Sequence, residues 1–448
     1  MASAAEQLAA HMNFGQLGKA TELKKRLWFT LGALIIYRLG TYIPLPGIDP
    51  NILKEIFQGQ AGGLLAVFDM FAGGAFGRMT IFALGIMPYI SAAIIMQLLT
   101  SVSPYFEQMK KEGEPGRKKI NQYTRYGTVL LAALQGYGIS VGLEGTAGSQ
   151  GSAVIDPGLF FRITTVITLV GGTMFLMWLG EQITARGVGN GISLIIFAGI
   201  VANLPAALAG TLELGRTGTL SAGFIVFLLL MSVVVIAVIV FVERAQRRLV
   251  VQYPKRQVGN KMFGGDSSHL PLKINTAGVI PPIFASSLLL LPITVAGFSA
   301  AGQGPEWLAG VTAYLGRGQP VYLGLYSLLI AFFAFFYTSV VFNPQETADN
   351  LKQNGGFIPG IRPGKNTGDY LDYVLTRITV LGAIYLVSVS ILPELLISNY
   401  AVPFYFGGTS LLIVVTVTMD TVAQVQSHLL AHQYEGLIKK SRLRGRRG

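Results

Sequence analysis

The sequence contains no cysteine in 448 residues, which excludes disulfides, thiolate nucleophiles and thiolate metal ligands. Charge is scarce as well. Asp, Glu, Lys and Arg together make up 12% of the chain, against roughly one quarter of an ordinary soluble domain, so polar surface cannot cover its apolar mass in water. Histidine is limited to four residues. His428 and His432 are four apart but fall beyond the last apolar run with no adjacent carboxylate, and His11 and His269 are isolated. No nucleophilic serine elbow, phosphate-cradling glycine loop or metalloprotease motif occurs. The chain therefore reads as neither an enzyme nor a metal or cofactor binder. Acidic pairs inside apolar runs, expected of ion-coupled transport, are missing too.

What is present in quantity is hydrophobicity, 51% of residues, arranged in runs of 17 to 23. About 20 residues carry a helix through a hydrocarbon core of about 30 Å. In lipid the backbone must satisfy its own polar groups, and runs this long and continuous fit helices better than barrel strands. Ten spans are expected, at roughly 27–43, 79–100, 125–143, 161–181, 190–209, 221–242, 275–297, 321–342, 376–397 and 405–425. The run Leu27 to Tyr42 follows four basic residues like a signal peptide, yet no small-residue cleavage site follows it, so it reads as a retained span.

The basic residues test this count. Of the 34 Lys and Arg, 28 fall in the two tails and in or at the edges of the even-numbered loops, five on the opposite side, and only Arg38 sits deep in a span. That asymmetry predicts both termini in the cytoplasm. The net charge of +12 thus belongs to a cytoplasmic face beside anionic lipid. The loops 243–273 and 343–375 are longer than orientation requires, which points to a docked cytoplasmic partner. An even ten spans permits two inverted halves of five, although 27–209 and 221–425 show no residue-level self-similarity.

Several features break the pattern. Segment 62–77, GGLLAVFDMFAGGAFG, is apolar but glycine-broken and interrupted by Asp69. A helix of about 8 to 10 residues rises only about 12 to 15 Å, so this is either an interfacial half-helix or a re-entrant segment in a cavity. Ile86 with Ile90, and Ile192 with Ile196, share helix faces; spacing alone leaves lipid contact, core packing and a pore lining all open. Pro281 and Pro282 are expected to kink the seventh span. Polar residues on that span (Asn275, Thr276, Ser286, Ser287) and on the second (Ser91, Gln97) can hold helices together weakly enough to part. From topology alone, a secondary transporter for a small solute is the alternative.

The runs IFALGIMPYISAAIIMQLLT (81–100), KKEGEPGRKKINQYTRYGT (110–128), TMFLMWLGEQITARGVGNGISLIIFAGI (173–200), FVERAQRR (241–248), VFNPQETADNLK (341–352), GFIPGIRPG (356–364) and VPFYFGGTSLLIVV (402–415) resemble the SecY family. Its members are the large subunits of the protein-conducting channel of the bacterial plasma membrane, and the resemblance covers about residues 20 to 440. It implies an all-α polytopic membrane protein of ten transmembrane helices, in two pseudo-symmetric five-helix halves around a central pore, with a short plug helix. The expected divisions are a cytoplasmic tail 1–26, an N-terminal half 27–209 with a plug segment 64–76, a C-terminal half 210–425, and a basic cytoplasmic tail 426–448. Unfolded secretory polypeptides would cross through the pore, and transmembrane segments would leave sideways into lipid.

The resemblance also implies site residues. Ile86, Ile90, Ile192, Ile196, Ile283 and Ile413 match the pore ring. Leu64, Leu65, Val67, Phe68, Met70 and Phe71 match the plug, and Ser91, Gln97, Asn275 and Ser286 the lateral gate. Arg248, Lys255, Arg256, Lys261 and Arg362 match contacts to a motor or ribosome. The implied partners are the SecE and SecG subunits, the SecA motor ATPase, translating ribosomes, signal peptides and unfolded preproteins, anionic lipids, YidC and SecDF. Two departures stand out: GNKM, with Asn260 and Lys261, replaces the family's usual basic pair, and Pro281-Pro282 replaces its single proline.

Overall fold

Each of the ten expected spans falls on one helix of the computed structural model, which describes residues 21–49, 52–53, 69, 71–145, 147–148, 151–218, 221–254, 256–258, 261–263, 267–297, 319–399 and 408–444. The spanning helices of the first half are α1 (Thr21–Gly40), α2 (Met87–Val102), α4 (Glu114–Glu144), α5 (Leu159–Arg186) and α6 (Gly191–Arg216). Those of the second are α7 (Ala222–Arg244), α8 (Ile280–Gly297), α9 (Pro320–Val341), α11 (Lys365–Asn399) and α12 (Gly408–Arg444). Two further helices are short, α3 (Pro104–Lys111) and α10 (Pro344–Gln353). Among the described residues seven helices are long and apolar enough to cross a bilayer by themselves, and an eighth if α2 and α3, bent by 96°, count as one. The bend has a local cause: Ser103, held extended (φ −95°, ψ 121°) before Pro104, cannot continue the helix.

Helices α4 and α5 form an antiparallel pair tied at both ends. At the end nearest α3, Arg125 Nη2 donates to both Glu181 oxygens at 2.8 Å. At the other end Glu144 accepts from Arg162 Nη2 (2.6 Å) and from the Gly158 N–H (2.9 Å), and the Arg162 hydrogen bond holds its carboxyl below the usual range. The largest helix contacts run within each half: α4 against α5, α2 against α4, and α9 against α8 and α11. The halves meet where α8 touches α2 and α4, and where α12 touches α6. The loop between α5 and α6 joins them too, because Thr30 Oγ1 accepts from the Val188 N–H (3.0 Å) and Gln424 Oε1 from the Gly189 N–H (2.8 Å).

Three expectations need correction. The second span was placed at 79–100, but its helix starts at Met87, and residues 72–86 are mostly successive turns. Their backbone groups are met across the chain instead: Leu45 N–H donates to Met79 O and Ile81 N–H to Ile43 O, both at 3.0 Å. Met79 (φ 41°) and Gly85 (φ 56°) take left-handed conformations that no helix accommodates. The half-helix expected to 76 likewise gives way to turns from Ala72 onward. Finally, Pro281 and Pro282 do not kink a helix. They occupy the first turn of α8, where an N–H has no intrahelical acceptor to lose, so proline there starts a helix rather than bending it.

The loops 243–273 and 343–375, expected on the cytoplasmic side, are structured and packed together. Strands β3 (Gln246–Gln252) and β6 (Ser267–Lys273) pair antiparallel, with Gln246 opposite Lys273 and Gln252 opposite Ser267. Between them β4 (Arg256–Val258) pairs with β5 (Lys261–Phe263), while β1 (Ala147–Gly148) and β2 (Gly151–Ser152) form a small hairpin between α4 and α5. Gln252 and Phe357 exchange backbone hydrogen bonds of 2.9 Å, joining loop 243–273 to loop 343–375. Leu249, Val251, Leu272, Ala348, Ile358, Leu371, Val374 and Ile378 close a separate apolar core beneath. Leu371, fully buried there, should cost about 2 to 5 kcal/mol on truncation to alanine. The expected result for Leu371→Ala is faster proteolysis within 243–273 and 343–375 while membrane insertion persists; unchanged cleavage kinetics would show that the loops do not share a core.

Candidate pore and lateral gate

Five of the six ring positions are buried: Ile86, Ile90, Ile196, Ile283 and Ile413 expose 1% to 8% of their surface. They come from α2, α6, α8 and α12 and belong to one continuous apolar core shared by the two halves. Ile86 sits at the non-helical start of α2 (φ −100°, ψ 2°). Ile192, half-buried, packs toward α5, its Cγ1 only 3.1 Å from where a Cβ on Gly180 would stand. Asn190 fixes the start of α6, its side chain accepting from the N–H groups of Ile192 (3.1 Å) and Ser193 (3.3 Å).

Of the plug residues, Phe71 is buried, and Leu64, Leu65, Val67, Phe68 and Met70 lie outside the described residues. What the structure adds is how the end of this segment is held. Arg38, which had no visible partner in sequence, donates from Nη1 to the Gly73 carbonyl at 2.7 Å and from Nη2 to the Tyr42 hydroxyl at 3.0 Å. Arg78 reaches the same carbonyl at 3.3 Å, and both guanidinium groups lie over the Tyr42 ring. Tyr37 donates to the Ala72 carbonyl (3.2 Å), and Asp69 Oδ1 accepts from the Gly77 N–H at 2.6 Å. Gly73 (φ 68°) approaches α6 so closely that a Cβ on it would come within 2.9 Å of the Gly199 Cα. The Ala72 and Gly73 carbonyls of these irregular turns thus find side-chain donors on α1 and at Arg78, the kind of pairing that backbone in an apolar setting requires.

The gate contacts differ from a ladder of polar side chains across an interface. Ser286 and Ser287 spend their hydroxyls on the Ile283 carbonyl within α8 (2.9 and 2.8 Å). Ser287 Oγ also stands 3.8 Å from Met87 Sδ of α2, a weak contact. Ser91 is buried, and the buried Gln97 Oε1 has no partner among the described residues. Asn275 lies before α8, not on it. Its Nδ2 donates to Glu243 Oε1 of α7 at 2.6 Å and to the Gly278 carbonyl at 3.0 Å, with both side chains buried. Sequence reading missed Glu243, because an acidic residue beside Arg244 at the end of an apolar run looks like an ordinary span boundary.

On the cytoplasmic surface Arg248 and Arg362 are exposed on the two loops that the shared core joins. Arg362 stands in a turn between Gly360 (φ 81°) and Gly364 (φ 106°), positions that glycine alone adopts without strain. Arg256 and Lys261 fall in β4 and β5, and Lys255 and Asn260 lie outside the described residues.

A family model described as SecY matches residues 80–422. The chain belongs to the SecY family. The protein translocase subunit SecY of Escherichia coli strain K12 is 57% identical over 431 residues, 96% of each chain. Among solved structures, one described as the structure of a protein conducting channel superposes with TM-score 0.65 at 17% identity, over 91% of this chain and 92% of that one. Sec61 in a canine ribosome-channel complex from the endoplasmic reticulum gives 0.62 at 17%, with the same coverage. At such identity these two structures establish the fold, and the SecY-family membership rests on the sequence matches.

The Asn275–Glu243 bond tests how the gate helix is held. Replacing Asn275 with alanine strands a buried carboxyl, a loss of about 1 to 3 kcal/mol, and frees the base of α8. In a channel carrying Met87→Cys and Ser287→Cys, disulfide formation should slow about three- to tenfold on adding Asn275→Ala. An unchanged rate would mean that α8 is positioned without this bond.

Proposed function

We propose that the chain is the pore-forming subunit of the protein translocation channel, passing unfolded polypeptides across the membrane and releasing apolar segments sideways between α2 and α8. The observation that carries this reading is the buried isoleucine set drawn from four helices of both halves. A conduit for every sequence must offer no directional bond to a passing backbone, yet seal when empty. Branched aliphatic side chains do both, since a narrow apolar constriction dewets. The turns at 72–78, held by Arg38 and Arg78, are the anchored end of a plug over that constriction.

The chain acts as a conduit and not as an enzyme, so free energy enters through its partners. The joined cytoplasmic loops form a platform with Arg362 at a rigid turn, suited to an ATP-driven motor of the SecA type or to a ribosome; the named Sec61 relative comes from a ribosome-channel complex. SecE and SecG complete the assembly. In this reading the molecule sits in the bacterial plasma membrane, and the basic asymmetry supports both termini being cytoplasmic.

Serine at several of the six ring positions should hydrate the constriction, giving vesicles that leak ions while the channel still assembles. Single cysteines there should crosslink to a stalled translocating polypeptide more strongly than cysteines at Ile94 or Val414. Tight vesicles and uniform crosslinking would remove the ring assignment. Separately, Arg362→Glu should leave assembly intact and abolish ATP-driven translocation, assayed by protease protection of a secretory precursor; normal protection would place the motor contact elsewhere.

A further inference from the structure

Where α9, α10 and α11 converge, a cavity of about 530 Å³ opens away from the isoleucine core. Its size falls in the range of small-molecule sites, about 300 to 1,000 Å³. Phe332, Phe335, Phe336 and Leu375 supply the apolar walls; Thr338, Ser339, Thr376 and Thr379 add hydroxyls, and Asp372, the one charged group, lies nearest the Lys365 end of α11. Phe332 and Phe335 are 52% and 40% exposed, which on a spanning helix means exposed to acyl chains. The other end of the cavity is at headgroup level. Pro344 on its rim begins the cytoplasmic helix α10, and Leu371, next to Asp372, belongs to the cytoplasmic core.

Charge selects the occupant. Asp372 is exposed and forms no ion pair among the described residues, and no basic side chain lines the cavity. Arg377, one turn further on, is laid over the Tyr373 ring, and Asp369 accepts from Gln345 Nε2 at 3.3 Å. On a face otherwise rich in Lys and Arg, this is an apolar slot closed by one bare carboxylate. An anionic headgroup would be repelled there, whereas an ammonium would gain a charge-assisted hydrogen bond.

We propose that this cavity binds a phospholipid whose headgroup ends in a primary ammonium, one acyl chain lying along Phe332, Phe335 and Leu375 and the ammonium on Asp372. The inference rests on the membrane orientation given above. It is independent of the pore and gate assignments.

The test uses the whole channel complex in bilayers of equal parts phosphatidylethanolamine and phosphatidylglycerol, with photoreactive benzoylphenylalanine at Phe335 and, as control, at Phe227, which is 52% exposed on α7. Crosslinked lipids are identified by mass spectrometry. The Phe335 probe should capture phosphatidylethanolamine in about fivefold excess, equivalent to about 1 kcal/mol, and the Phe227 probe should return the bulk ratio. Asp372→Asn should abolish the excess while translocation persists. Phosphatidylcholine, which lacks the N–H donors, should show less enrichment in place of the ethanolamine lipid. A bulk ratio at Phe335, an excess that survives Asp372→Asn, equal capture of phosphatidylcholine, or crosslinking to a polypeptide would each overturn the proposal.

Discussion

Hydrocarbon offers no hydrogen-bond partners, so every amide in the membrane must be paired inside the protein, and the remaining features follow from how this chain meets that demand. Most of the answer is helix. The informative remainder is the stretch from Ala72 to Ile86, where the backbone leaves the helix and is satisfied by carbonyl and side-chain partners on α1 and on residues 43–45. An irregular segment kept by such bonds can be displaced only when they are exchanged for others, which suits a stopper that must stay put at rest and yield on demand. A helix at the same depth would have satisfied itself and needed no anchor.

The same logic explains the asymmetry between seal and gate. The seal is made of dispersion and apolar confinement, spread over many residues, so it closes around whatever shape is present. At the gate the serines are occupied within their own helix, and one sulfur–hydroxyl contact crosses from α8 to α2. The firm bond sits at the base, between Asn275 and Glu243. Held at its foot and packed along α9, α8 meets α2 through apolar surface and that one weak polar contact.

The ten spans were legible because lipid imposes a length, and that signal is summed over hundreds of residues. Local geometry was less so. Pro281 and Pro282 carry the same chemistry in a helix interior as at its first turn, and only the position of Ile280 decides which applies. Arg38 looked unpartnered because its acceptor, the Gly73 carbonyl, is a backbone atom 35 residues away, and backbone acceptors leave no residue type to notice. The union of the two cytoplasmic loops rests on Gln252 meeting Phe357, a pairing with no periodic signature. The isoleucine ring was a carry-over from the family motif, since burial of Ile86 or Ile413 is equally what a core residue shows.

The near-contact of Gly73 with Gly199 bears on register. Two hydrogen atoms stand where any other residue would place carbon, so the two chains fit in one register and in no neighbouring one. The notch fixes where the segment rests, and the hydrogen bonds to the Ala72 and Gly73 carbonyls hold it there. It also couples the two positions: a larger side chain at one could be accommodated only by moving the other segment aside. The register of this contact is in that sense recorded in the absence of side chains rather than in their presence.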